Sequence, residues 1–301
     1  MFRIAAGKTA FFPVFKKEEI TLDKTKKTEL KKLACKVRMG VIEGTFNAKS
    51  GHPGGSLSIA DIITYLYFEE MNVDPKNPAF EDRDRFVLSK GHTAPALYSA
   101  LALNGFFPFE LIKTLRKPDS MLQGHPSMRY TPGVDMSTGS LGQGISAAVG
   151  MALGAKLKGK DFRVYTALGD GEIEEGQVWE AAMFAGNRKL DNLVAVVDFN
   201  NLQIDGSLDE VNSPCPIDEK FAAFGWNVIV INGHCFCEID EAFKKAKETK
   251  GKPTCIVAKT VKGKGVSFME NKCDWHGSAP NAEQYEQAMK ELGDALVALE
   301  V

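Results

Sequence analysis

The 301-residue chain contains no run approaching the roughly 18 apolar residues of a membrane-spanning helix, so no membrane partner is expected. It also lacks an excess of either charge: 37 basic and 39 acidic side chains leave a formal net charge of −2. That balance offers no broad basic field, and so no nucleic-acid partner is expected. Cysteine is sparse, at six residues, and Cys235-Phe236-Cys237 has a spacing that suits neither zinc nor thioredoxin chemistry. The thiols are therefore expected to be reduced and packed, which points to a cytoplasmic protein. Internal repeats and low-complexity tracts are missing as well. Residues 1–17 (MFRIAAGKTAFFPVFKK) are basic and hold no acid. They read as a loosely ordered tail or, faintly, as a targeting peptide interrupted by Lys8 and Pro13. The expected organisation is a tail over residues 1–25 and one domain over 26–301.

What is present organises itself around a Gly-Asp-Gly turn. Residues 162–168 (FRVYTAL) are apolar and β-branched, as a buried strand requires, and Gly169 and Gly171 let the backbone turn sharply and approach a phosphate. Residues 177–188 have helical periodicity, and 192–199 (NLVAVVDF) form a second apolar strand ending at Asn200-Asn201. A right-handed crossover makes the two strands parallel, which brings Asp170 and Asn200 to one sheet edge, where open α/β sheets place ligands. A carboxylate and an amide oxygen there suit magnesium or another hard divalent cation, with phosphate oxygens completing its shell. Taken alone, Gly-Asp-Gly is equally an ordinary tight turn.

Further strands are expected at residues 86–88, 226–231 and 254–259, and helices at 30–47, 58–70, 94–105, 140–157, 237–249 and 282–299. The alternation implies an α/β fold: a doubly wound, mainly parallel sheet with helices on both faces. The SGHPGG segment is expected as a turn between two helices. Only five histidines occur, and His52, His92, His125 and His276 lie beside glycines rather than in apolar runs. That placement suits ligand contact, although a lone loop histidine is commonly solvated or a cap. His234 reads as a loop or helix-start residue. Lys90 and Lys262 lie beside motif residues and could attract a phosphate, while Lys262 reads equally as a solvated loop cation.

The ordered motifs Ser50-Gly51-His52-Pro53-Gly54, Leu88-Ser89-Lys90-Gly91-His92, Gly124-His125-Pro126, Thr138-Gly139-Ser140-Leu141-Gly142-Gln143-Gly144, Gly169-Asp170-Gly171 with Asn200-Asn201, and Trp275-His276-Gly277 resemble those of transketolases. The resemblance runs from about residue 30 to residue 282. It implies a thiamine-diphosphate-binding fold and transfer of a two-carbon ketol unit from a ketose phosphate to an aldose phosphate. It also implies that Asp170, Asn200 and the Leu202 carbonyl hold Mg2+, or Ca2+ or Mn2+. His92, His125, Gly139, Ser140, Leu141, Gly171, Glu175, Asn200 and His276 would contact thiamine diphosphate, and His52 and His276 would share proton transfer. Ser140 stands where many members carry proline. A whole transketolase has two further domains, so the resemblance is to the amino-terminal subunit of a split enzyme. Its partner would be a carboxyl-terminal transketolase subunit carrying the pyrimidine-binding and carboxyl-terminal domains, in an α2β2 heterotetramer. Other thiamine enzymes, such as a deoxyxylulose phosphate synthase, share Gly-Asp-Gly and Asn-Asn; a non-catalytic scaffold is the alternative from a different class.

Overall fold

The structure, a computed structural model, describes residues 22–300, so the expectations for residues 1–17 lie outside the described residues. Its strands are β1 (Arg85–Leu88), β2 (Val164–Gly169), β3 (Leu193–Phe199), β4 (Asn227–Asn232) and β5 (Thr254–Lys259). All neighbouring pairs are parallel, in the order β1-β2-β3-β5-β4. The helices are α1 (Lys24–Ala48), α2 (Pro53–Ser58), α3 (Ala60–Tyr65), α4 (Ala94–Asn104) and α5 (Gln143–Leu157). They continue with α6 (Gly176–Asn187), α7 (Leu208–Val211), α8 (Ile217–Ala223), α9 (Phe236–Glu248) and α10 (Ala282–Val297).

The period-two alternation of the strands explains why both faces are covered. Phe86, Leu88, Tyr165, Ala167, Val194, Val196, Ile256 and Ala258 point into one core, where Leu30 of α1, Leu97 of α4, Phe243 of α9 and Leu292 of α10 meet them. Val87, Val164, Leu168, Ala195, Val197 and Val257 point into a second core, closed by Ile145 of α5, Val178 of α6 and Phe221 of α8. Parallel strands put their carboxyl ends on one edge. The segments that follow β1, β2, β3 and β5 therefore converge, and these carry Ser89–His92, Asp170–Gly171, Asn200–Leu202 and Thr260–Lys262.

Two local expectations are corrected. The SGHPGG segment is not wholly a turn, because Pro53 opens α2, a first-turn position where its fixed φ and missing N–H cost nothing. The single helix expected over 58–70 is accordingly α2, α3 and a π-helical turn at Leu66–Glu70. The helix expected from residue 140 begins at Gln143, since Gly142 adopts φ +80, which an α-helix cannot contain. Gly139, Ser140 and Leu141 thereby remain loop. All six cysteines are free, but of the packing expected only Cys35 and Cys255 are buried, whereas Cys215 is exposed and Cys235, Cys237 and Cys273 are partly covered. Among the described residues no helix is long and apolar enough to cross a membrane.

Candidate functional site at the carboxyl edge of the sheet

The floor of the site is a buried ionic cluster. Asp198, near the end of β3, is 0% exposed and accepts from the Ser58 hydroxyl at 2.5 Å, the Thr260 hydroxyl and the Lys90 ammonium. Lys90 also donates to the Gly55 carbonyl at 3.1 Å. The phosphate attraction expected of Lys90 gives way to another role: the ammonium is committed to the floor. Directly above, Asp170 Oδ2 accepts from the backbone N–H groups of Asn200 at 2.8 Å and Asn201 at 2.6 Å, and Oδ1 from Gly171 at 2.9 Å. Asn200 Oδ1 accepts from the Leu202 N–H at 3.2 Å. The expected union of Asp170 and Asn200 at one edge is thus realised. Burial and the Asp198 charge push the Asp170 carboxyl up to about 6, against the pull of the Asn201 and Gly171 N–H groups and of Lys90.

The sequence pattern alone does not reveal Glu172. It is visible there only as one of several acids at a helix start, yet its buried carboxylate accepts from Ser89 Oγ at 2.5 Å, Gly142 N at 3.0 Å and Gly169 N at 2.9 Å. One side chain therefore ties together three of the glycine-bearing loops. No spacing in the sequence announces this, because its partners come from segments far apart in the chain.

Three of the four glycine-flanked histidines meet. The ring centroids of His52, His92 and His276 lie 5.1, 5.2 and 5.4 Å apart in pairs. Burial and nearby cations hold all three neutral: His52 is lowered to about 4 with Arg116 contributing, and His276 to about 3 with Lys262 contributing. His92 falls well below its usual value through burial and Lys90. Lys262 is no solvated loop cation. It is 2% exposed, donates to the Leu202 carbonyl at 3.1 Å, and has its Nζ 3.0 Å from His276 Nδ1, joining the histidine cluster to the Asn200–Leu202 loop. Burial lowers its ammonium to about 8.

His125 stands apart from that cluster. It lines an open cleft of about 600 Å3 with Met136, Ser137, Thr138, Gly139, Ser140, Gln143 and Gly144. Gly139, at φ +154, packs under the imidazole so closely that a Cβ would sit 3.3 Å from His125 Cγ. A Cβ on Gly142 would come within 2.8 Å of Glu175 Cβ, which sets Glu175 beside the loop carrying Leu141. Arg116 spans Ser50 and Gly124, with Nη1 donating to Ser50 Oγ at 3.0 Å, and so links two motif loops the sequence separates.

These residues fit a metal-bound diphosphate. The donors at Asp170, Asn200 and Leu202 are all oxygens, as a hard cation prefers. Two of them are amide or backbone groups, so the trio is not a cluster of acids, histidines or cysteines, and among the described residues no such cluster of three occurs. His52 Nδ1 and Thr138 Oγ1 are buried without a protein partner, which suits polar atoms waiting for a ligand.

A parallel sheet with oxygen donors and buried cations at its carboxyl edge is the frame of a diphosphate-binding α/β enzyme domain. A family profile described as "Transketolase, thiamine diphosphate binding domain" matches residues 30–297, and the chain belongs to the transketolase family. It is 53% identical over 80% of its length to a 6-deoxy-6-sulfo-D-fructose transketolase subunit of Clostridium sp. (strain MSTE9), covering 88% of that relative. Against one of the apulose-4-phosphate transketolase subunits, from Phocaeicola vulgatus, the identity is 44%, covering 88% of this chain and 94% of that one. Mouse transketolase is also 44% identical across 90% of this chain, but the match spans only 43% of the mouse enzyme. Likewise the crystal structure of Campylobacter jejuni transketolase superposes with a TM-score of 0.83 at 34% identity, over 90% of this chain and 45% of that one.

Proposed function

We propose that this chain is the amino-terminal subunit of a split transketolase, a thiamine-diphosphate-dependent transferase, completed by a separate carboxyl-terminal subunit. Support comes from coverage: the chain spans nearly the full length of relatives named as subunits and less than half of the whole mouse enzyme. Residues 26–301 hold its cofactor-binding domain, whose first helix, α1, already begins at Lys24. The assembly is an α2β2 heterotetramer in the cytosol, and the substrates are sugar phosphates of the pentose phosphate type. The relatives' names carry different ketoses, so membership of the family names no single donor.

The observation that carries the reading is the junction at Lys262, whose ammonium is shared by the Leu202 carbonyl and the His276 imidazole. Asp170, Asn200 and the Leu202 carbonyl would hold Mg2+, or Ca2+ or Mn2+ in its place. Gly171 and Lys262 would serve the diphosphate, and His92 and His125 the diphosphate and the donor's first hydroxyl. Gly139, Ser140 and Leu141 would contact the thiazolium and pyrimidine parts, and Glu175 would reach toward the partner. When bound, thiamine diphosphate supplies the nucleophilic carbon and the electron sink for breaking the ketose bond between carbons two and three. His52 and His276 would be neutral at pH 7: His52, whose Nδ1 has no protein partner, would accept a hydroxyl proton of the sugar, and His276, whose Nδ1 faces the Lys262 ammonium, would present its Nε2–H to orient it. The test is to assay ketol transfer by the chain alone and with its partner, with Mg2+ and thiamine diphosphate. Activity only in the mixture is expected, and substantial transfer by the chain alone refutes the split reading.

A further inference from the structure

His234, in the turn between β4 and α9, belongs to none of the glycine motifs, yet both of its ring nitrogens are engaged. Nδ1 lies 2.7 Å from Asp61 Oδ2, and Nε2 lies 2.9 Å from the backbone nitrogen of Val261. Asp61 in turn accepts from both terminal nitrogens of Arg38, at 3.2 and 2.5 Å, and the two residues, Asp61 and Arg38, are 5% and 8% exposed. Burial alone would raise the Asp61 carboxyl, but Arg38 and the His234 hydrogen bond hold it down to about 2. An ionised Asp61 accepts only, so Nδ1 carries the imidazole proton. Nε2 is then a bare acceptor, and it faces an N–H that can only donate.

That N–H belongs to the residue immediately before Lys262. On the other side the segment is pinned by Gly263 N donating to the Gly54 carbonyl at 2.9 Å, and the Lys262 carbonyl accepts from Asn271 N at 2.9 Å. His234 is thus the amino-side anchor of the short stretch whose ammonium joins Leu202 to His276.

We propose that His234 is a positioning residue: through Asp61 and Arg38 it holds the Val261 backbone, and thereby aims the Lys262 ammonium at the diphosphate of the cofactor. The inference rests on the transketolase reading above. It singles out the Nε2 acceptor, not the Asp61 pairing, as the functional half of the histidine. Two substitutions separate the halves. His234→Asn keeps a donor at the Nδ1 position but has no acceptor at the Nε2 position, whereas His234→Gln places an amide oxygen near Nε2 and gives up the bond to Asp61.

The measurement is calorimetric titration of the complex with its partner by thiamine diphosphate and Mg2+, alongside thermal midpoints. Both variants are expected to lose a similar amount of thermal stability, since each gives up one buried hydrogen bond. His234→Asn should raise the cofactor dissociation constant about tenfold, as outer-shell changes do, while His234→Gln stays close to the unmodified protein. In a Lys262→Met background the His234→Asn effect on affinity should vanish, because the residue through which it acts is gone. Equal affinities for the two variants, or an undiminished effect without Lys262, overturns the proposal. An unmodified complex that binds no thiamine diphosphate removes the underlying family role as well and sinks both.

Discussion

Lys90 and Lys262 are each 2% exposed at the same edge of the sheet, but they belong to regions built on different terms. Around Lys90 the floor is electrostatically closed, with the ammonium against the Asp198 carboxylate and two hydroxyls and a carbonyl filling the remaining valences. Around Lys262 the lip is open. Its hydrogen-bond partners are a carbonyl and a neutral imidazole, and burial has already drawn the ammonium down to about 8. A buried cation matched by a carboxylate is architecture, since removing either member strands a charge. A buried cation that hydrogen-bonds no carboxylate, and feels Asp170 only across space, is poised for an anion arriving from outside. The lowered histidines report the same shortage of negative charge: burial comes first in each case, followed by Arg116, Lys262 or Lys90.

The largest effect should come from breaking the floor. Lys90→Met leaves the Asp198 carboxyl without its cation at 0% exposure. The expected loss is about 3–5 kcal/mol of unfolding free energy, the usual consequence of stranding one member of a buried pair. Denaturant titration of the purified chain measures it. A loss below about 1 kcal/mol, the scale of exposed pairs, would mean that water reaches Asp198 and that the two lysines do not differ as described.

Lys262→Met should give the opposite pattern. Lys262 hydrogen-bonds no carboxylate, and its ionic neighbour Asp170 keeps three backbone N–H donors without it, so the melting temperature should stay near that of the unmodified chain. Affinity for thiamine diphosphate with Mg2+ in the assembled enzyme should fall about tenfold, equivalent to about 1.4 kcal/mol. Calorimetry decides it. Unchanged affinity would reassign Lys262 to the floor as a second structural cation.

The contrast also marks what a sequence can disclose. The strands, and the meeting of Asp170 with Asn200, are legible because apolar runs and the parallel crossover rule determine which chain ends share an edge. The histidines are legible as candidates because glycines flank them. The floor is not, because Ser58, Lys90, Asp198 and Thr260 come from four separate segments and no local pattern joins them. Glu172 is hidden for the same reason, with bonds to three different loops. The expected start of α5 falls three residues early because propensity favours helix through Ser140, whereas the loop geometry turns on the positive φ of Gly142. His234 looks bland in sequence because its partners, Asp61 and Val261, are remote along the chain.

The smallest effect, and the one that sharpens the contrast most, is in the pH dependence of the lip. His52 and His276 titrate near 4 and 3 when folded, against a usual value of 6.5. Between those limits the unfolded chain binds more protons, so their contribution to stability is complete above 6.5 and is lost as pH falls toward 4. Asp170 runs the other way. Its folded value near 6 exceeds the usual 3.8, so the folded state holds the extra proton, and stability from this group is lost as pH rises through 6. Above pH 6 the ionised Asp170 is therefore the group a divalent cation relieves. Thermal midpoints from pH 4 to 8 should climb to about pH 6.5, and Mg2+ with thiamine diphosphate should add most above pH 6. His276→Gln should flatten the acid limb by about 2 °C, the scale of a change near 1 kcal/mol in a chain of this size. Asp170→Asn should abolish the added stabilisation by the cation at every pH. If the His276→Gln curve instead runs parallel to the unmodified one from pH 4 to 6.5, the imidazole is already solvated and the lip is not short of negative charge.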